Sequence, residues 1–133
     1  MGSVRTPATR SIAPVAAAAA ALAGVAVLRV RDPHVSGSYG FCPFHELTGW
    51  WCPACGGLRA TNALAQGDVL ASLSSNVFVV PLILGAVLAW VMWVSGRPVR
   101  YRPGRIALIV TVAVLLVFTV VRNTSWGSWL APG

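Results

Sequence analysis

Cys42, His45, Cys52 and Cys55 crowd into one short stretch, CPFHELTGWWCPACGGLR over residues 42–59. It contains all three cysteines of the chain and one of its two histidines. The first half reads Cys42-Pro43-Phe44-His45 and the second Cys52-Pro53-Ala54-Cys55-Gly56. Two residues between ligands let a chain curl until both side chains face one centre. A glycine after the second ligand accepts the positive φ of the turn and brings amides toward the sulfur, and a proline after the first stiffens the curl. Thr48 and Gly49, between the halves, are suited to reversing the chain. Three thiols and one imidazole form a zinc donor set, and four protein ligands leave no open position for a substrate, so the expected zinc is structural. Other chemistries use the same residues. Cys52 and Cys55 alone suffice for a thiol–disulfide oxidoreductase, with Cys42 as a resolving thiol. Cys42 paired with either of them gives a plain structural disulfide, and all three cysteines can also be inert packing residues.

The elements that must carry this stretch are set by composition. The 133 residues are 56% hydrophobic and only 10% charged, and the mean hydropathy is +0.73. That balance excludes an ordinary soluble globule and fits a single small integral membrane domain, 1–133. The net charge of +7 sets three acidic residues against ten arginines, with no lysine. The arginines flank apolar runs, the usual pattern at membrane edges, and no basic surface with interleaved aromatics suggests a nucleic-acid partner.

Three apolar runs read as transmembrane helices, at about 12–28, 76–95 and 106–121. The fold class expected is therefore all-α, with three spans, a Cys/His-rich interfacial loop, and a short interfacial helix between spans 1 and 2. Residues 1–11 are basic through Arg5 and Arg10 and are expected to be disordered. Ile12–Leu28 is about 25 Å long as a helix, slightly short for a bilayer, and Arg29 and Arg31 extend it by snorkelling. A cleaved signal peptide is the competing reading of this run. Residues 32–40 form a polar loop, including Ser36, in which His34 is a solvated residue before it is a fifth ligand. From Gly57 the pattern is helical, with Leu58, Ala60, Ala63, Leu64 and Ala65 on an apolar side and Arg59, Thr61, Asn62 and Gln66 on a polar one. Gly67 ends this helix and Asp68 caps the next. Cys55 then lies near a helix N-terminus, which favours a thiolate. Arg59, one turn in, is an interfacial arginine or a partner for a thiolate or lipid phosphate. Val69–Leu73 leads into the second span, Asn76 is read as a boundary residue, and Pro81 as a kink. Trp50, Trp51, Trp90, Trp93, Trp126 and Trp129 suit the membrane–water boundary.

Arg97, Arg100, Arg102 and Arg105 in a loop without acids mark residues 96–105 as cytoplasmic. Three spans then place the N-terminus on the cytoplasmic side and the Cys/His loop and C-terminus outside. Thiols oxidise more readily there, although coordination protects them.

The stretch CP-FHELTGWW-CPACGGLRA, followed by Gly67-Asp68 and by Asn76 opening a span, resembles the small bacterial membrane proteins grouped as domain-of-unknown-function family 2752. Their pattern is similar to CP-x-H, a Gly-containing spacer, CP-x-CG-x-TRA, and Gly-Asp before an Asn-led helix. Leu58 stands where Thr is usual, and Val77 where Pro is common. The resemblance spans Cys42–Leu84 and implies a bacterial cytoplasmic (plasma) membrane location but no activity. The leading expectation is an accessory or interaction module stabilised by zinc on Cys42, His45, Cys52 and Cys55, partnered by the lipid bilayer and by another membrane protein. The alternative is a membrane oxidoreductase using Cys52 and Cys55. A transporter is disfavoured because the spans carry no internal acid or histidine, and no residue set for hydrolytic catalysis is evident.

Overall fold

The computed structural model describes residues 7–35, 37–97 and 100–131. Arg5, most of the expected N-terminal tail and Ser36 lie outside these residues. The chain is all-α among the described residues: α1 Pro7–Val30, α2 Pro43–Thr48, α3 Gly57–Ala65, α4 Val69–Ser75, α5 Val79–Val94 and α6 Arg105–Arg122, then a 3-10 turn at Ser128–Leu130.

Two helices are long and apolar enough to cross a membrane: Ile12–Val30 within α1 and Arg105–Arg122. The second expected span is different in form. Its helix is Val79–Val94, 16 residues, about 24 Å, and the preceding α4 meets it at a bend of 113°. The pair counts as a third span only as a broken one. The break has a local cause: Asn76 is extended at φ −163° and ψ 111°, and its side-chain oxygen accepts the Phe78 amide at 3.1 Å. Such a local side-chain bond competes with helix continuation. Val69–Leu73, expected to lead into the second span, does so across this bend. Pro81 sits in the first turn of α5, where a missing amide costs little, so the bend belongs to residues 76–78.

The apolar side chains of the spans point outward. Leu22 is 70% exposed, Leu82 70% and Ile109 66%. A continuous surface of this kind is tolerable in lipid and not in water, so the helices embed the chain in a bilayer. α1 packs against α3 and α5, whereas α6 approaches only the 3-10 turn among the described helices. Trp90 Nε1 donates to the Pro14 carbonyl at 2.9 Å, joining the first half of α1 to the last turns of α5.

The enclosed part of the molecule gathers around the loop end of the spans and is unusually polar. Beside Leu28, Ala60, Ala63, Val79, Phe118 and Leu130 it buries Asn62, Ser72, Asn76 and Arg122. The expected apolar side of α3 is only partly right: Ala60 and Ala63 are buried, but so is Asn62, while Leu58 is 46% exposed. Gly67, at φ +84°, follows α3, and Asp68 accepts the Ala71 amide at 2.9 Å to cap α4, both as expected.

After α6 the chain turns back through Gly127, where an added Cβ would collide with the Val121 carbonyl oxygen and lie 2.9 Å from Val121 Cγ1. Gly127→Ala should therefore lift the tail off α6 and lower stability by about 1–3 kcal/mol, the usual range for overpacking. The check is the unfolding midpoint of the variant in detergent, and an unchanged midpoint would contradict this packing.

Candidate metal centre

The first half-motif is helical, which the sequence did not suggest. Pro43 opens α2, with Cys42 as its N-cap residue and Gly49 at φ +73° as its C-cap. Thr48 Oγ1 donates to the Phe44 carbonyl at 2.6 Å and accepts the Trp50 amide at 3.2 Å, completing the reversal expected at Thr48 and Gly49. The second half-motif is a tight curl. The Cys55 amide reaches the Cys52 carbonyl at 3.1 Å, and Gly56 at φ +81° opens α3.

These two turns bring Cys42, Cys52 and Cys55 together, with their sulfurs all within 4.8 Å of one another. Cys42 Sγ lies 3.5 Å from Cys52 Sγ, and Cys52 Sγ lies 2.8 Å from Cys55 Sγ. All three are free, half-buried thiols. Their environments differ. The His45 amide donates to the Cys42 sulfur and, with the neighbouring thiols, holds its pKa below the usual value. Burial, then contact with Cys52 and Cys42, pushes the Cys55 thiol up to about 12. A thiolate is therefore favoured at Cys42 over Cys55.

His45 stands outside this convergent group. As the third residue of α2 its ring lies flat on Trp51, with centroids 3.9 Å apart and planes 12° from parallel. Its Nδ1 is buried without a hydrogen-bond partner. His34, the other histidine, is held at 2.8 Å by the Asp32 carboxylate in an exposed turn. The His34 amide, bonded to the same carboxylate, is the main reason the Asp32 pKa is lowered. Arg59 Nε donates to the Pro33 carbonyl at 3.1 Å, tying the 32–40 loop to α3.

Three residues that the sequence did not single out as functional hold the curl by its backbone. Asn76 Nδ2 donates to the Pro53 carbonyl at 2.9 Å and to the Cys55 carbonyl at 3.2 Å. Arg122 Nη1 donates to the Cys52 carbonyl at 2.8 Å and to the Cys55 carbonyl at 3.2 Å. Asn123 pairs with Trp51 on both sides, accepting its amide at 2.8 Å and donating to its carbonyl at 2.9 Å. Trp51 is thus a platform of the site rather than a second copy of the outward-facing Trp50. A signal for these residues did exist: the three-span reading puts residues 76 and 122–123 at the membrane face that carries the motif.

A cleft of about 350 Å³ opens beside the thiols, walled by the three cysteines with Phe41, Trp51, Leu58 and Arg59 among others. Chemically, the site offers three soft sulfur donors able to hold a metal ion, with a half-exposed approach.

A family model described as Protein of unknown function (DUF2752) matches residues 42–90, from the first cysteine through most of α5. No curated protein and no solved structure matches the chain.

Proposed function

With residues 42–90 belonging to that family, whose description assigns no activity, we propose that the chain is a single membrane domain built around a structural zinc centre and serving as an accessory or interaction module for another membrane protein. The observation that carries this reading is the convergence of Cys42, Cys52 and Cys55. Sulfurs bound tetrahedrally at about 2.3 Å lie ~3.8 Å apart, close to the 3.5 Å between Cys42 and Cys52. His45 completes the set in this proposal. A buried imidazole nitrogen lacking a partner is costly to leave so, and ligation of His45 relieves that cost. Metal content of the purified chain and of each ligand variant is the test.

A second reading has its own observation. The 2.8 Å between Cys52 and Cys55 lies between a tetrahedral edge and a disulfide bond of ~2.0 Å. Their oxidation would transfer two electrons and two protons to an acceptor disulfide, leaving a Cys52–Cys55 bond and two acceptor thiols. Cys55→Ser would then trap a mixed disulfide on Cys52; in the metal reading no such adduct accumulates.

The proposed setting is the bacterial cytoplasmic membrane, with α4 and α5 together forming the second crossing. The arginines of residues 96–105 face the cytoplasm and the cysteines lie outside. A topology reporter fused at Gly96 should be active inside, and one fused after Gly133 outside. The reverse pattern contradicts this orientation.

A further inference from the structure

Arg122 is the most deeply buried charged residue described, at 1% exposure. Its guanidinium reaches the carbonyls of Cys52 and Cys55 and, through Nη2, the Leu130 carbonyl at 2.9 Å. It stands 4.9 Å from the centroid of Phe118, and its Nε has no partner. The chain has only three acidic residues. Asp32 faces His34, Asp68 caps α4 and Glu46 is an exposed residue of α2. Among the described residues no carboxylate lies within ion-pair distance of Arg122.

A buried cation facing only carbonyl dipoles and an aromatic ring is incompletely compensated. Neutral thiols do not supply the missing charge, and neither does a Cys52–Cys55 disulfide. A divalent cation on three thiolates and one neutral imidazole does, because that centre carries a single net negative charge. We propose that Arg122 is the counter-charge of the metal centre, a positioning residue that fixes the 52–55 curl through its carbonyls and favours a divalent metal on three thiolates by neutralising it. The proposal rests on the metal reading above. It adds that α6, which supplies no ligand, helps determine which charge state the site holds. Arginine suits the role because one arm of its planar fork serves both cysteine carbonyls while the other holds the Leu130 carbonyl, and the group remains ionised.

Two variants separate charge from hydrogen bonding. Arg122→Lys keeps the charge and loses the fork; Arg122→Gln keeps an amide donor and loses the charge. The full chain in detergent is titrated with Co²⁺, read by the sulfur-to-cobalt charge-transfer band, and Zn²⁺ is then used to displace it. Arg122→Gln should weaken binding roughly 10- to 100-fold, the range for groups supporting metal ligands, and move the band to lower energy. Removing a nearby cation raises the thiolate levels, a change that looser packing alone does not mimic. Arg122→Lys should stay within a few-fold of the parent with the band in place. Equal affinity and an unmoved band in Arg122→Gln would overturn the proposal, as would Arg122→Lys binding as weakly as Arg122→Gln. If Arg122→Gln fails to fold, Arg122→Lys decides: near-parental affinity and band support the role, and a loss beyond tenfold refutes it. A parent chain that binds no cobalt overturns the metal reading and this proposal together. A parent that binds while Arg122→Gln matches it overturns this proposal alone.

Discussion

Serine at Cys42, Cys52 or Cys55, and alanine at His45, should each lower the metal content of the purified protein and make residues 40–60 sensitive to protease. A closed centre needs all of its ligands, and its binding free energy is folding free energy. Structural zinc sites supply about 10–16 kcal/mol in small zinc-finger peptides, as much as the ~5–15 kcal/mol that holds a typical domain together. Loss of a ligand therefore acts on the whole loop end of the molecule, whose enclosed apolar residues are few. His45→Ala is the deciding variant. A histidine cannot join a disulfide, so the oxidoreductase reading expects this change to be mild. The metal reading expects it to resemble the cysteine variants, although the imidazole rests on Trp51 and the thiols converge without it. A stable His45→Ala chain with parental metal content would leave three thiols as the whole protein donor set.

Asn76→Ala is expected to be the most damaging change outside the ligands. One side chain there satisfies the Pro53 and Cys55 carbonyls and the Phe78 amide, and the residue is 3% exposed. Truncation strands groups on both sides of the bend. Each buried polar group left without a partner costs about 1–3 kcal/mol, so the total is expected at roughly 2–5 kcal/mol. The same change frees the break between α4 and α5 to straighten. Thermal unfolding in detergent and proteolysis at residues 52–57 and 75–79 provide the check. Asn76→Asp is informative beside it: the oxygen facing Phe78 survives, whereas the carbonyls of the curl meet a carboxylate in place of a donor. It should be at least as destabilising as Asn76→Ala. If both variants unfold like the parent, the bend and the curl are held by something other than Asn76.

Cys42, Cys52 and Cys55 were legible as one cluster because cysteines are rare and their spacing is constrained by the curl. Gly67 and Asp68 were legible because a positive φ and a helix cap each favour a short list of residues. The outer spans were legible from length and hydropathy, although α1 begins before residue 12 and continues to Val30. The second span was legible only in part: its helix, Val79–Val94, lies within the expected 76–95, but the bend before it was not foreseen. An apolar run over residues 76–95 has the same composition whether it is one helix or a shorter one after a sharp bend, and the bend depends on where Asn76 finds its acceptors. α2 was missed because six residues carry too little periodicity to distinguish a helix from a loop. Arg122 and Asn123 looked like an ordinary basic and polar edge of a span. Their roles arise from contacts across about 70 positions of sequence, which no local pattern encodes. Asn62, read on the polar side of α3, shows the same limit: it is buried, and its side-chain oxygen lacks a partner.

The most direct measurement is metal content together with a thiol count on the full chain purified in detergent, without added chelator or reductant. One zinc per chain is expected, with three thiols that are protected in the folded protein and all react once the metal is chelated or the chain is denatured. A metal-free chain with one reactive thiol and a bond between Cys52 and Cys55 would contradict the metal reading and establish the dithiol reading in its place.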